Sequence, residues 1–184
     1  MAKVERIYYP TGELKSECFV LNGKKEGIYK EYHENNCELT DINSNRKNLS
    51  STDYFGQLWQ VCSYTNGMIN GESKHYHNNG QLQESCSYTN GMIHGEYKSY
   101  YVNGQLHVIV SYIDGKRNGE FKSYHSNGQL DEIYSYIDDK MNGEYKSYFL
   151  NGQLLSICSY INNKIHGIYK EYNDNGELIK SCVP

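Results

Sequence analysis

Apolar and polar residues alternate in short runs along this chain, and the runs return every 24 residues. In one unit Leu106, Val108, Val110 and Tyr112 alternate with His107, Ile109, Ser111 and Ile113. Alternation with a period of two is the mark of a strand with two distinct faces. The equivalent runs are Leu82/Glu84/Cys86/Tyr88, Leu130/Glu132/Tyr134/Tyr136 and Leu154/Ser156/Cys158/Tyr160. No stretch carries a helical period long enough to compete. Gly71, Gly95, Gly119, Gly143 and Gly167 are spaced by 24, and so are Gly56, Gly80, Gly104, Gly128, Gly152 and Gly176. Such self-similarity marks a repeat architecture.

Each period holds two turn signals. One is Asn-Gly at 79–80, 103–104, 127–128, 151–152 and 175–176. The other is Asn66-Gly67, Asn90-Gly91, Asp114-Gly115, Asp138-Asp139 and Asn162-Asn163. A type I′ hairpin turn needs φ > 0 at both central residues, which Gly, Asn and Asp tolerate best. Two turns per period predict two strands per period. Connections this short make neighbours antiparallel. The expected fold is all-β: an elongated single-layer antiparallel meander of repeated β-hairpins.

The intervals between turns are unequal, nine residues at 81–89 and eleven at 92–102. A four-residue loop, Tyr101 to Gly104, or a bulge near Gly95 absorbs the excess. An even-length loop places Gly95 and Tyr97 on the face of Leu106, Val108, Val110 and Tyr112, with Glu96, Lys98 and Tyr100 opposite; an odd loop reverses the first strand. The even register is preferred, with Gly95 leaving room for an aromatic ring on the next strand.

The whole chain, 1–184, reads as a single repeat domain. Degenerate repeats occupy 5–39, an irregular polar segment occupies 40–55, and regular 24-residue repeats fill 56–184. The irregular segment reads as a loop or deformed hairpin, with a functional insertion as the alternative. Pro184 is expected to blunt the last edge strand.

At Gly-x-Tyr-Lys-x-Tyr-x-x-Asn-Gly-x-Leu followed by Ser-Tyr-x-x-Gly-x-x-x-Gly, the chain resembles MORN repeats, over 71–182 and more weakly over 5–39. The variant it is most similar to occurs in bacterial proteins of the YwqK antitoxin type. It departs from the commoner pattern in its aromatic spacing and lacks the Tyr-x-Gly-x-Trp element. The resemblance implies an elongated, twisted sheet that acts as a scaffold, self-associates or binds a protein partner. Acidic phospholipid binding and toxin neutralisation are further functions it implies. The richness in Asn, Lys, Ile and Tyr is similar to that of giant DNA viruses and some bacteria.

Composition narrows the classes. Of 184 residues, 20 are Tyr against four Phe and one Trp, so buried surface is amphipathic more than aliphatic. The net charge of −4 comes without a basic stripe, which argues against nucleic acid. No apolar run approaches a membrane span, and the first residues lack the apolar core of a signal peptide. The expected compartment is the cytoplasm.

Candidate chemistry is sparse, and the expectation is no catalytic, cofactor or metal site. Cys18, Cys62, Cys86, Cys158 and Cys182 share one repeat position. They fall two strands apart, about 9.6 Å, too far for disulfides. They read as a buried apolar column, with Cys37 the expected exposed thiol. The seven histidines read as polar groups near turns, and His94 and His166 exchange with Asn as backbone caps. Lys74, Lys98, Lys122 and Lys146 form a column beside Glu72, Glu96, Glu120 and Glu144. It is either a track for acidic lipid headgroups or an acidic partner, or a solvated alternating-charge face. Trp59, Val61, Ile109, Ile133, Leu155 and Ile157 are assigned to the face away from Leu106. There they form a candidate partner interface, or a strip covered by neighbouring long side chains. The function expected is that of a non-enzymatic scaffold binding a protein or another copy of itself. The alternatives are a peripheral adaptor for acidic lipid and an antitoxin-like binder.

Overall fold

A computed structural model of the chain describes residues 1–34 and 56–183. The irregular segment, Cys37 and Pro184 lie outside the described residues. The elements are β1 (Ala2–Tyr8), β2 (Leu14–Leu21), β3 (Lys24–Tyr32), β4 (Leu58–Thr65), β5 (Met68–Tyr76) and β6 (Leu82–Thr89). They continue as β7 (Met92–Ile93), β8 (Gly95–Tyr100), β9 (Leu106–Ile113), β10 (Lys116–Tyr124) and β11 (Leu130–Ile137). The last are β12 (Lys140–Tyr148), β13 (Leu154–Ile161), β14 (Lys164–Tyr172) and β15 (Leu178–Cys182). All join one antiparallel sheet in sequence order, with β7 as the short outer part of the β8 arm. At about 4.8 Å per strand the sheet runs roughly 65 Å across its strands. This is the expected meander.

The turns form where φ > 0 is cheapest. Asn66, Asn90 and Asp114 have φ of 53, 52 and 50°, each followed by a glycine in the same region. Asp139 and Asn163 adopt φ of 65 and 68° where other repeats use Gly. Both side chains tie the strain down. Asp139 Oδ1 accepts from Arg117 N at 3.1 Å and from Arg117 Nε at 2.8 Å, and Asn163 Oδ1 accepts from Met141 N at 2.7 Å.

Both devices for the unequal arms occur. Toward the preceding strand, Arg117 pairs with Tyr112 but Phe121 with Val110, so two extra residues bulge around Gly119. Toward the following strand, Gly95 pairs with Tyr112 and Tyr97 with Val110, the preferred even register. The register then slips by one: Ser99 faces Val108, but Tyr100 faces Leu106.

Two corrections follow from these bulges. A Cβ built on Gly95 meets nothing within 4 Å, and its φ is +95°. Glycine is there for backbone conformation, not for ring clearance. The second concerns faces. His107 is the extra residue of the slip, so Leu106 lies across from Tyr100 and leaves the Val108/Val110/Tyr112 face. Tyr100 in turn shares the face of Lys98, two residues before it.

The two faces are best called the tyrosine face and the lysine face. On the tyrosine face a row runs Cys18, Tyr29, Cys62, Ser73, Cys86, Tyr97, Val110, Phe121, Tyr134, Tyr145, Cys158. Small groups on one set of strands fill between rings on the other. Cys62 is 1% exposed and Val110 3%. The described cysteines are free thiols, buried except Cys182. Ring pairs such as Tyr29–Tyr64 at 5.9 Å and Tyr145–Tyr160 at 5.8 Å sit edge to face. Each such cross-strand pair contributes about 0.2–1 kcal/mol.

The strand ends are stitched from repeat to repeat. Asn79, Asn103, Asn127 and Asn151 donate Nδ2 to Val102, Ser126, Leu150 and Asp174 carbonyls, at 3.1–3.2 Å. Tyr101 Oη donates to the Tyr124 carbonyl at 2.8 Å, and Nε2 of His77 and of His125 lies 3.1 and 3.0 Å from the carbonyl oxygens of Tyr100 and Tyr148. Histidine here does what tyrosine does one repeat away. Asn118 and Asn142 accept from the next turn's Asp138 and Asn162 N–H at 3.0 and 3.1 Å, and His94 Nδ1 accepts from the Asp114 N–H at 3.5 Å. Of the two histidines expected as backbone caps, His94 makes the bond, and His77 and His125 sit at turns as polar groups.

Candidate interaction surfaces

The lysine face is a set of rungs. Ile109 stands between Lys98 and Lys122, Ile133 between Lys122 and Lys146, and Ile157 between Lys146 and Lys170. Val61 stands between Lys30 and Lys74, and Ser85 interrupts the strip between Lys74 and Lys98. The four apolar residues are half-buried. Alternate strands present them about 9.6 Å apart.

Every lysine of the inner column is held by the glutamate two residues before it. Lys74 Nζ meets Glu72 at 2.8 Å and Lys98 meets Glu96 at 2.5 Å. Lys122–Glu120 and Lys146–Glu144 repeat the contact. Residues i and i+2 share a face, so each ammonium folds back along its own strand. The butylene stem then lies beside the isoleucine and the charge beside its partner.

Trp59 and Leu155 do not join this strip. Each is the extra residue of the loop-side bulge: Glu31 pairs with Gln60 and Tyr32 with Leu58, and Ser147 pairs with Ser156 and Tyr148 with Leu154. Strict alternation misplaced them by one residue. Asp131 fixes the direction of that position, since it accepts from Ser123 Oγ at 3.2 Å on the tyrosine face.

Trp59 belongs instead to a cluster on the tyrosine face. Its ring is 5.4 Å from that of His75 and 6.4 Å from that of His33, both edge-on. His75 Nδ1 lies 2.8 Å from Glu84 Oε1, and Tyr97 donates its hydroxyl to Glu84 Oε2 at 2.8 Å. The His75 ring and then the Tyr97 hydroxyl hold the Glu84 carboxyl below the usual glutamate range, against burial, which raises it. Beside them Ser73 stands where other repeats carry Tyr or Phe, 1% exposed, with no partner for Oγ. A groove of about 540 Å³ continues past Glu84, Tyr97, Ser99, Tyr101 and His107.

Sequence reasoning missed this cluster. Its signal was a set of single departures from the repeat: Trp59, Ser73 and His75. Among the described residues no group of three or more His, Cys, Asp or Glu converges as a metal site. Burial pushes the thiols of Cys62, Cys86 and Cys158 up, which keeps them protonated and inert. No helix of the described residues is long and apolar enough to cross a membrane.

No curated protein matches the sequence. A solved structure, the GtfA/B complex bound to UDP and GlcNAc, aligns over 62% of this chain and 22% of that one. Identity is 13% and the TM-score 0.27, so the match bears on neither fold nor ligand. The family model described as the MORN repeat variant matches six stretches: 3–22, 69–90, 93–114, 117–138, 141–162 and 165–182. All six begin within a strand, and the five from residue 69 onward each begin two residues before a bulge glycine, Gly71, Gly95, Gly119, Gly143 or Gly167. This chain belongs to the MORN repeat variant family.

Proposed function

We propose that this protein is a non-enzymatic scaffold that binds a protein partner along its lysine face. Repeats of this family are generally scaffolds that bind proteins or membranes. One observation carries the choice of face: Ile109, Ile133 and Ile157 recur at one register between lysines, and of those flanking lysines Lys98, Lys122 and Lys146 are already paired to their own glutamates. An apolar line with fixed charges at constant spacing suits an elongated protein surface. Contact area comes from the isoleucines, and register comes from the charged rungs.

The same pairing weighs against a lipid track. A headgroup must compete with a glutamate already bonded to each ammonium. The lipid reading predicts salt-sensitive binding to anionic vesicles that disappears when Lys98, Lys122 and Lys146 become Gln. The protein reading predicts that this triple change leaves vesicle binding at its background level.

The direct test is copurification from extract of the native host, using the full chain and a variant with Ile109→Glu, Ile133→Glu and Ile157→Glu. A bound protein recovered by the first and lost by the second, at equal strand content by circular dichroism, supports the reading. Equal recovery by both would sink it.

A further inference from the structure

On the tyrosine face the chain seats two of its own cations on aromatic rings. Lys25 Nζ lies 4.1 Å from the ring centre of Tyr29 and 4.9 Å from that of Tyr64, and these rings meet edge to face at 5.9 Å and 73°. The Arg117 guanidinium lies 4.1 Å from the ring centre of Tyr136, which meets Phe121 at 6.2 Å and 87°. A cation over a ring face is attracted by the ring's quadrupole. Both cations hold one place in the repeat, two residues before a glycine with positive φ, Gly27 or Gly119.

The same ring pair recurs where that place carries no charge. Tyr97 and Tyr112 meet at 6.3 Å and 69°, and Tyr145 and Tyr160 at 5.8 Å and 74°. Two residues before Gly95 stands Ile93, and two before Gly143 stands Met141. Ile93 pairs directly with Tyr88, so its side chain is on the tyrosine face. Isoleucine is too short to reach where a lysine ammonium would sit, whereas methionine is nearly as long as lysine. The Tyr97–Tyr112 pair is therefore the seat left open.

A countercharge is in place there. Tyr97 donates its hydroxyl to Glu84 Oε2 at 2.8 Å, as Tyr29 does to Glu31 Oε2 at 2.6 Å. A phenol bonded to a carboxylate carries more electron density in its ring, which deepens its attraction for a cation. Arg117 stands on the far side, directly paired with Tyr112, but its charge is engaged by Asp139 at 2.8 Å and its guanidinium lies on Tyr136. The groove of about 540 Å³ borders Tyr97 and Glu84 and gives room for the rest of a ligand.

We propose that the Tyr97–Tyr112 pair is a seat for a lysine or arginine side chain of a basic polypeptide segment, with the Glu84 carboxylate as its countercharge. The two filled seats define the occupant. Each holds a polypeptide side chain, one an ammonium and the other a guanidinium. The ligand does from outside what Lys25 does from within. It is a second ligand, on the face opposite the isoleucine–lysine rungs, so either reading can fail alone.

The test adds a hexalysine peptide to the full chain and follows the ring resonances of Tyr97 and Tyr112 by nuclear magnetic resonance. Both rings should shift and saturate together. Ile93→Lys supplies the seat with the chain's own cation and should weaken binding about fivefold or more. Ile137→Lys adds the same charge on the lysine face, where Ile137 is 58% exposed, and should leave the affinity within about twofold. Lys25→Met should uncover the first ring pair, so that Tyr29 and Tyr64 shift with the peptide as well. Lys24→Met, the same loss of charge next door, should leave those rings unmoved. Circular dichroism checks that each variant keeps the sheet. Binding unchanged by Ile93→Lys would overturn the proposal. So would equal weakening by Ile93→Lys and Ile137→Lys, which signals that only net charge is read. Spermidine that shifts the same rings at lower concentration than the peptide would overturn the polypeptide as occupant.

Discussion

Tyr97 of β8 donates its hydroxyl to Oε2 of Glu84 on the neighbouring β6 at 2.8 Å. Two repeats on, Tyr145 makes the same bond to Glu132 at 2.7 Å. At both places the tyrosine face holds a carboxylate acceptor against a half-buried ring. Removing the hydroxyl by Tyr97→Phe should lower stability by about 1 kcal/mol, read by urea unfolding. Because the Glu84 carboxyl titrates below its ordinary value of 4.5, the folded state binds fewer protons there than the unfolded chain. Its contribution is full above that value and is lost as pH falls through the depressed one. Glu84→Gln should flatten this acid limb of a melting-temperature profile. An unchanged limb would assign the acid loss to other groups.

The alkaline limb has the opposite sign. Burial pushes the Tyr88 hydroxyl up to about 12, and Tyr29, Tyr97, Tyr134 and Tyr145 move the same way for the same first cause. A folded pKa above the unfolded one stabilises fully below about pH 10 and less as pH rises through the folded value. Tyrosinate absorbance should therefore lag the curve of an unfolded peptide, and stability should fall from about pH 10 upward. A titration that tracks model tyrosine throughout would contradict the burial seen at these rings.

Gly95 separates two explanations by one double-mutant cycle. Its positive φ predicts that Gly95→Ala costs about 1–2 kcal/mol through the backbone alone. The paired Tyr112 then has no part in the cost, so Tyr112→Ala should add to it independently. If trimming Tyr112 rescued Gly95→Ala, ring clearance would be the reason for the glycine after all.

Phe149 stands where Tyr9 and Tyr101 donate to the carbonyl of a tyrosine in the next repeat, both at 2.8 Å. The loop around it is closed in the same way, with Gly152 N donating to Phe149 O at 2.8 Å. Phe149→Tyr should supply the missing bond to the Tyr172 carbonyl and raise stability by about 0.5–1 kcal/mol. No gain in thermal midpoint would mean that the ring sits differently in that repeat.

What could be read from the sequence was set by backbone chemistry. Asn66, Asn90 and Asp114 had to mark turns because few residues accept φ > 0, and each does. Tyr97 opposite Val110 followed once the turns fixed direction and parity. The bulges were another matter. An extra residue does not disturb the alternation on either side of it; it only flips what lies beyond. Trp59 is itself such an extra residue and Leu106 sits one step past one, and each was put on the wrong face. The Trp59–His75–Glu84–Tyr97 chain was hidden for the same reason, since its members lie on four strands and meet only after the slip is known.

The central claim is that a protein partner lies on the isoleucine–lysine rungs. Hydroxyl-radical footprinting of the partner complex, against the free chain, reads side chains face by face. The scaffold account predicts that Ile109, Ile133 and Ile157 lose reactivity together while Tyr97, Tyr101 and Tyr145 keep theirs. Protection of the tyrosine face with the isoleucines unchanged would contradict it.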